Sequence, residues 1–317
     1  MQITGNTQPI SAVDGVDFEI FPGETLGVVG ESGCGKSMTA LALTGLLPKP
    51  QVRVTSGQVL FEGQDLLKCS ESRLRTLRGN RIGMIFQEPM TSLNPLLSIG
   101  VQISEALVIH HRLSQSAAAS AAVELLARVG IGSPESRARD YPHRLSGGMR
   151  QRVMIAMAMA CRPSLLIADE PTTALDVTIQ SQILELIDEL KRETNAAVLL
   201  ITHNLGVVAQ TAQRVMVMYS GKIVEQASVE QLFSNPTHPY TRGLIGSIPV
   251  LGRRTRESRV RLQEIPGTVD PANAGRPGCR FAPRCASRQT ECSLTAPPSR
   301  RHRNHLVACH VHHPGAA

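Results

Sequence analysis

Residues 25–37 read TLGVVGESGCGKS, and this stretch decides the fold of the 317-residue chain. Thr25–Val29 is a short apolar run of the buried-strand type. Gly30–Ser37 then fits G-x-x-x-x-G-K-[ST], the phosphate-cradling P-loop pattern. Glycines at Gly30, Gly33 and Gly35 let successive backbone N–H groups curl around phosphate oxygens, and the helix that follows adds the field of its N-terminus. Lys36 is placed to reach the β- and γ-phosphates, and the Ser37 hydroxyl to bind Mg²⁺. The order strand, glycine loop, helix predicts an α/β core that takes a nucleoside triphosphate. A glycine turn without a ligand is the alternative that the loop alone leaves open.

The second decisive stretch is Leu165–Glu170, LLIADE, a buried strand that ends on two acids. Asp169 suits holding Mg²⁺, usually through water, opposite Ser37. Glu170 suits polarising the attacking water in line with the γ-phosphate. Without a P-loop, the pair would read as acids capping a strand. Around these two segments the periodicity predicts strands at Ala12–Ile20, 56–62, 81–86, Ala197–Ile201, Val215–Tyr219 and Lys222–Glu225. It predicts helices at Ser37–Leu47, across an Ala- and Leu-rich stretch at 101–129, and at Ile179–Glu193. After Pro236 the chain turns Pro-, Gly- and Arg-rich with little periodicity.

Composition bounds the remaining classes. The longest apolar run is Val153–Cys161, far short of the roughly 20 residues that span a bilayer. The N-terminus lacks the order of a signal peptide, so any membrane role is expected to come through a partner. Net charge is +7, yet residues 251–317 carry 12 Arg, no Lys and 4 acidic residues. The excess therefore sits in the last fifth of the chain rather than over a folded basic face, which argues against nucleic acid as a partner. It marks a C-terminal module that could meet phosphate, acidic protein or lipid headgroups, or that is simply a solvated Arg-rich tail. Four of the 7 cysteines, Cys279, Cys285, Cys292 and Cys309, cluster there. An odd total without a secretion signal argues for reduced thiols, and four close thiols suggest a metal site.

Residues 145–151 read LSGGMRQ, and here the chain resembles the ATP-binding subunits of ABC transporters, over nearly all of residues 11–317. The resemblance implies a P-loop NTPase core at 1–235, with a helical insert at about 88–160 and a small, loop-rich, metal-binding extension at 236–317. It assigns nucleotide binding to Gly30, Glu31, Ser32, Gly33, Cys34, Gly35, Lys36, Ser37 and Met38. It adds Ser146, Gly147, Gly148 and Gln151 from the signature, whose serine and glycine backbone closes on the γ-phosphate of a second subunit. Gln87 matches the Q-loop glutamine that touches Mg²⁺ and faces the membrane subunit. Ala174-Leu175-Asp176 matches the D-loop, and His203 the switch histidine at the γ-phosphate. Lys36, Gln87, Glu170 and His203 are thus the implied catalytic set, with Ser37, Gln87 and Asp169 around Mg²⁺. Taken singly, Gln87 and His203 would read as a surface polar residue and a satisfied histidine.

Longer strings carry the subfamily. Gln87–Pro95, QEPMTSLNP, and Asn235–Thr241, NPTHPYT, resemble the dipeptide, oligopeptide and nickel importers, as do Ile265-Pro266-Gly267 and Gly278–Cys285. The implied assembly is a sister ATPase in a heterodimer, two permease subunits and an extracytoplasmic binding protein, with this chain at the cytoplasmic face of the inner membrane. Di- or oligopeptides are the first choice of cargo and nickel the second. A soluble ABC-type ATPase acting on ribosomes or DNA is the other alternative. The peptide-importer ATPases that this extension resembles include members carrying a [4Fe–4S] cluster there, which the four cysteines, spaced x₅, x₆ and x₁₆, are expected to bind in preference to Zn²⁺, since zinc sites usually pair cysteines more closely. His302, His305 and His310 are possible substitute ligands. One departure stands out. The family stacks adenine on an aromatic residue upstream of the P-loop, and Gln2–Ile10 contains none. A usual first strand is also expected to be missing, so either the start lies upstream of Met1 or Ile10 or Val13 packs adenine.

Overall fold

The computed structural model describes residues 1–3, 10–173, 175–248, 264–269, 275, 277–302 and 305–312. Ala174 of the expected D-loop, most of Gln2–Ile10 and parts of the extension lie outside the described residues. In chain order the strands are β1 (Gln2–Ile3), β2 (Ile10–Ser11), β3 (Thr25–Val29), β4 (Val52–Arg53), β5 (Leu60–Phe61), β6 (Gln64–Asp65) and β7 (Ile82–Ile85). They continue as β8 (Leu165–Asp169), β9 (Ala197–Ile201), β10 (Arg214–Tyr219), β11 (Lys222–Ser228), β12 (Arg300–His302) and β13 (His305–Val307).

The main sheet runs β12-β13-β11-β10-β3-β9-β8-β7. From β10 to β7 all neighbours are parallel, and β11, β13 and β12 extend the sheet antiparallel. The central strands are buried along their whole length because both faces are covered, which is why they read as unbroken apolar runs. Alternate residues serve opposite faces. Leu26, Val28, Ile167, Leu199 and Met216 pack towards Ala40 of helix Lys36–Thr44 and towards Leu66 and Leu77. Leu166, Ala168, Val198 and Leu200 pack against Val153, Ile183 and Ile187. Each fully buried side chain of this kind contributes about 1.5–3 kcal/mol.

The Ala-rich stretch forms two helices, Ile99–His111 and Gln115–Arg128. The second starts where Ser114 Oγ accepts the Ala117 N–H at 3.2 Å, satisfying a donor that the first turn leaves orphaned. Both helices pack with Gly147–Met159 through Ile99, Ile103, Leu126 and Ile155. Among the described residues, no helix is long and apolar enough to cross a membrane.

Several expectations change. The strand expected at 56–62 is confined to Leu60–Phe61, which pairs with β6. Ala12–Ile20 is not a strand: Gly15 takes a left-handed φ of 64°, and the Asp14 N–H donates out of line to the Gly221 carbonyl at 2.8 Å. A first strand does exist, since β1 pairs antiparallel with β2 and β4. Nor is the region after Pro236 without regular structure. Pro239–Gly246 is a helix capped by the His238 side chain, and β12 and β13 complete the edge of the main sheet.

Candidate active site

The C-terminal ends of β3 and β8 lie on one edge of the sheet with β9 between them, the position where open α/β sheets bind ligands. The P-loop leaves β3 in conformations that favour glycine, with φ 79° at Gly33 and 104° at Gly35. A Cβ on Gly35 would stand 2.6 Å from the Ala12 carbonyl oxygen. Lys36 is buried, and its Nζ donates to the loop's own carbonyls, Gly30 at 2.7 Å and Glu31 at 3.1 Å. Phosphate oxygens in the cradle would compete for those donors. Cys34 is buried beneath the loop, where burial pushes its thiol up. Ser32 is exposed, and Met38 is half-buried in the helix that follows.

Ser37 Oγ donates to Asp169 Oδ1 at 3.0 Å. Burial raises the Asp169 carboxyl above its ordinary range and the Glu170 charge adds to this, against the Ser37 hydrogen bond and the Lys36 charge. Two adjacent oxygen donors, one a carboxylate, fit a hard cation such as Mg²⁺ that takes few protein ligands.

Glu170 has φ 48°, a conformation costly for a residue with a side chain, and its N–H donates to the Ile201 carbonyl at 2.8 Å. That turn swings the carboxylate out of the strand line to meet three groups. Gln87 Nε2 donates to Glu170 Oε2 at 3.2 Å and Thr173 Oγ1 donates to the same oxygen at 2.8 Å. His203 Nδ1 lies 3.3 Å from it, with the His203 side chain 62% exposed and that of Glu170 13%.

Lys36, Ser37, Asp169, Glu170, Gln87 and His203 are thus brought to one place. The signature residues make their contacts on the helical side. Ser146 Oγ accepts the Met149 N–H at 3.4 Å, capping helix Gly147–Met159. A Cβ on Gly148 would stand 3.1 Å from Ile179. Gln151 is 2% exposed, and its amide nitrogen has no hydrogen-bond partner among the described residues. Asp176 caps the next helix by accepting the Ile179 N–H at 2.9 Å.

In the C-terminal region, Cys279 and Cys285 pack against the Tyr240 and Phe281 cluster. Burial pushes the Cys279 thiol up to about 11 and raises those of Cys285 and Cys309. The Cys279 N–H donates to the Cys292 carbonyl at 2.8 Å, which sets those two residues side by side. Among the described residues, however, no three His, Cys, Asp or Glu side chains are arranged to hold a metal ion. His305 is occupied otherwise: buried, it faces Glu225 with Nδ1 at 2.7 Å. His310 Nε2 lies 2.9 Å from the Thr295 carbonyl.

Three groups at or near the site are absent from the sequence reading. Thr173 belongs to it through the PTT that follows the acid pair. Tyr240 and Arg284 reach the P-loop from the far end of the chain: Tyr240 Oη accepts the Glu31 N–H at 2.9 Å, and Arg284 pairs with the Glu31 carboxylate. Both lie in the NPTHPYT and Gly278–Cys285 strings, but nothing local ties them to the P-loop, because both contacts bridge more than 200 residues.

Residues 13–173 match the ABC transporter family, and residues 224–292 match the oligopeptide/dipeptide transporter C-terminal region. The "Probable peptide ABC transporter ATP-binding protein y4tR" of Sinorhizobium fredii is 55% identical over 96% of this chain and 90% of its own length. The "Oligopeptide transport ATP-binding protein AppD" of Bacillus subtilis is 50% identical over 96% of this chain and 92% of its own. Among solved structures, the dimeric ATP-binding cassette MJ0796 in a post-hydrolysis state with ADP and Pi superposes with a TM-score of 0.65 at 27% identity, covering 72% of this chain and 95% of that one. The chain belongs to the ABC transporter family, with a C-terminal region of the oligopeptide/dipeptide transporter type.

Proposed function

We propose that this chain is the ATPase subunit that energises import of di- or oligopeptides. The observation that carries the reading is the convergence of Gln87, Thr173 and His203 on one oxygen of Glu170, beside the hydrogen-bonded Ser37–Asp169 pair. Glu170 accepts a proton from the attacking water, and the three groups around Oε2 fix the orientation of its carboxylate. Gly30–Met38 hold the phosphates, with Lys36 exchanging loop carbonyls for phosphate oxygens. Ser37 and Asp169, with Gln87 beside them, would hold Mg²⁺, which when bound neutralises charge on the phosphates.

Ser146, Gly147, Gly148, Gln151 and Asp176 serve a composite site in this reading. The helix N-terminus at Ser146 offers bare glycine backbone to the γ-phosphate of a sister ATPase. Closure of the two subunits and their reopening after hydrolysis would drive two permease subunits, with a binding protein delivering cargo from outside. The chain would sit at the cytoplasmic face of the inner membrane, residues 1–235 acting as the ATPase and 236–317 as the extension. The names of its relatives support peptide over nickel as cargo. Reconstitution with the permeases and binding protein in proteoliposomes tests the reading. ATP-dependent peptide uptake is expected. Uptake of nickel alone, or the absence of ATP hydrolysis, would overturn it.

For the extension, the finer proposal is a [4Fe–4S] cluster on Cys279, Cys285, Cys292 and Cys309, in preference to zinc. The clustering of four cysteines in one short segment supports it, as does the backbone hydrogen bond that sets Cys279 beside Cys292. So does the spacing, which offers none of the close cysteine pairs usual for zinc.

A further inference from the structure

We propose that Arg284 is a positioning residue of the nucleotide site: acting through Glu31, it sets the conformation of the P-loop, so that the C-terminal region tunes ATP affinity. The inference rests on the reading of Gly30–Met38 as the ATP cradle. Arg284 Nη1 donates to Glu31 Oε2 at 2.6 Å and Nη2 to Oε1 at 3.0 Å, a two-pronged pairing. Exposed ion pairs hold little in place, but the Arg284 side chain is only 6% exposed. Its remaining donors are used as well. Nε donates to the Pro266 carbonyl at 2.7 Å, and Nη2 to that of Gly267 at 3.0 Å. The guanidinium therefore has one geometry, set by the extension, and it presents that geometry to Glu31.

Glu31 is the second residue of the phosphate loop, and every polar group it carries is engaged. Its carboxylate meets Arg284, its N–H donates to Tyr240 Oη at 2.9 Å, and its carbonyl accepts Lys36 Nζ at 3.1 Å. Tyr240 is itself fixed by Tyr219 and Phe281, with ring centroids 4.7 and 5.3 Å away. Among the described residues the next two have no comparable support: Ser32 is exposed, and a Cβ on Gly33 would meet nothing within 4 Å. The outer arch of the cradle is thus braced at Glu31, by two residues of the extension. A second arm works alongside. Arg280 reaches Asp14 at 2.6 Å and the Ser220 carbonyl, and the adjoining Gly221 N–H donates to the Cys34 carbonyl at 2.8 Å.

The test uses the full chain in the assembled transporter, with ATPase rate measured against ATP concentration and binding of a fluorescent ATP analogue measured in parallel. Arg284→Gln should raise KM for ATP about tenfold while kcat stays within about twofold, since the pairing holds the loop and touches no reacting atom. Glu31→Gln should shift KM comparably, and the double variant should be no worse than either single one, because both remove one interaction. Arg284→Lys, which keeps the charge but not the fork, should recover part of the affinity. KM and analogue binding unchanged in all variants, with only the melting temperature lowered, would make Arg284 a mere anchor and overturn the proposal. Additive KM effects in the double variant would overturn it too. If Arg284→Gln does not fold, Arg284→Lys and Glu31→Gln decide. Wild-type complex without ATPase activity would instead refute the functional reading itself.

Discussion

His203 Nδ1 stands 3.3 Å from Glu170 Oε2 across the gap between the ends of two neighbouring strands, β9 and β8. The same oxygen takes the Gln87 amide at 3.2 Å, so segments far apart in sequence meet on one carboxylate. That geometry makes Glu170 the natural first residue to change.

Glu170→Gln keeps the shape of the side chain but removes the charged acceptor. Hydrolysis should fall by about 10²–10⁴-fold, the span typical of a general base, while ATP-bound dimers accumulate. Steady-state ATPase assays on the assembled complex, with size-exclusion chromatography in ATP, provide the check. Near-normal turnover would remove Glu170 from its role.

The second prediction concerns partners. With the signature on the helical side at Ser146 and the P-loop at the end of β3, the isolated chain should bind ATP weakly and hydrolyse it slowly. Adding permease subunits should raise the rate. Activity measured across protein concentration checks this: full turnover by protein shown to be monomeric in the assay would contradict a composite site.

Acid should loosen the C-terminal region through His238. Burial, with smaller effects from His312 and Arg242, pushes this histidine down to about 3, and its Nδ1 accepts the Tyr240 N–H at 3.0 Å, which requires that nitrogen to be unprotonated. The folded value lies below the ordinary value of about 6.5, so the unfolded chain binds the extra proton first. Stability is then full above about pH 6.5 and is lost as pH falls towards 3, by about 2 kcal/mol at pH 5. His238→Asn keeps a capping acceptor without the titration. Urea denaturation at pH 7 and pH 5 should show a smaller pH-dependent loss in that variant than in the wild type.

The thiol proposal is read by colour and by metal analysis. Protein purified without oxygen should be brown, absorb near 400 nm, and hold about four irons per chain for a cubane. Colourless protein with stoichiometric zinc would reverse the preference, and metal-free protein with an ordered C-terminus would end it.

The parallel core was legible because its strands are buried on both faces. Thr25–Val29, Leu165–Asp169 and Ala197–Ile201 read as apolar runs, and the P-loop and acid pair mark where two of them end. Ala12–Ile20 misled because its partial alternation mimics a strand, while Gly15 and the Asp14–Gly221 hydrogen bond turn the backbone away. β12 and β13, three residues each, are too short for any period to register. In the candidate site, Lys36, Ser37, Asp169 and Glu170 announce themselves by motif. The Arg284–Glu31 pairing spans 253 residues, and only tertiary folding creates it.

The pairing of β11 with β13, Glu225 opposite Val307 and Gln226 opposite Leu306, has a consequence for the nascent protein. β11 leaves the ribosome about 80 residues ahead of the strand that covers it, a delay of roughly 4–16 s at ordinary elongation rates. Throughout that interval its outer row of N–H and C=O groups faces water, open to pairing with any other extended chain. Messages cut short before residue 305 would leave that row permanently open, so C-terminal truncation should show itself first as loss of solubility during expression.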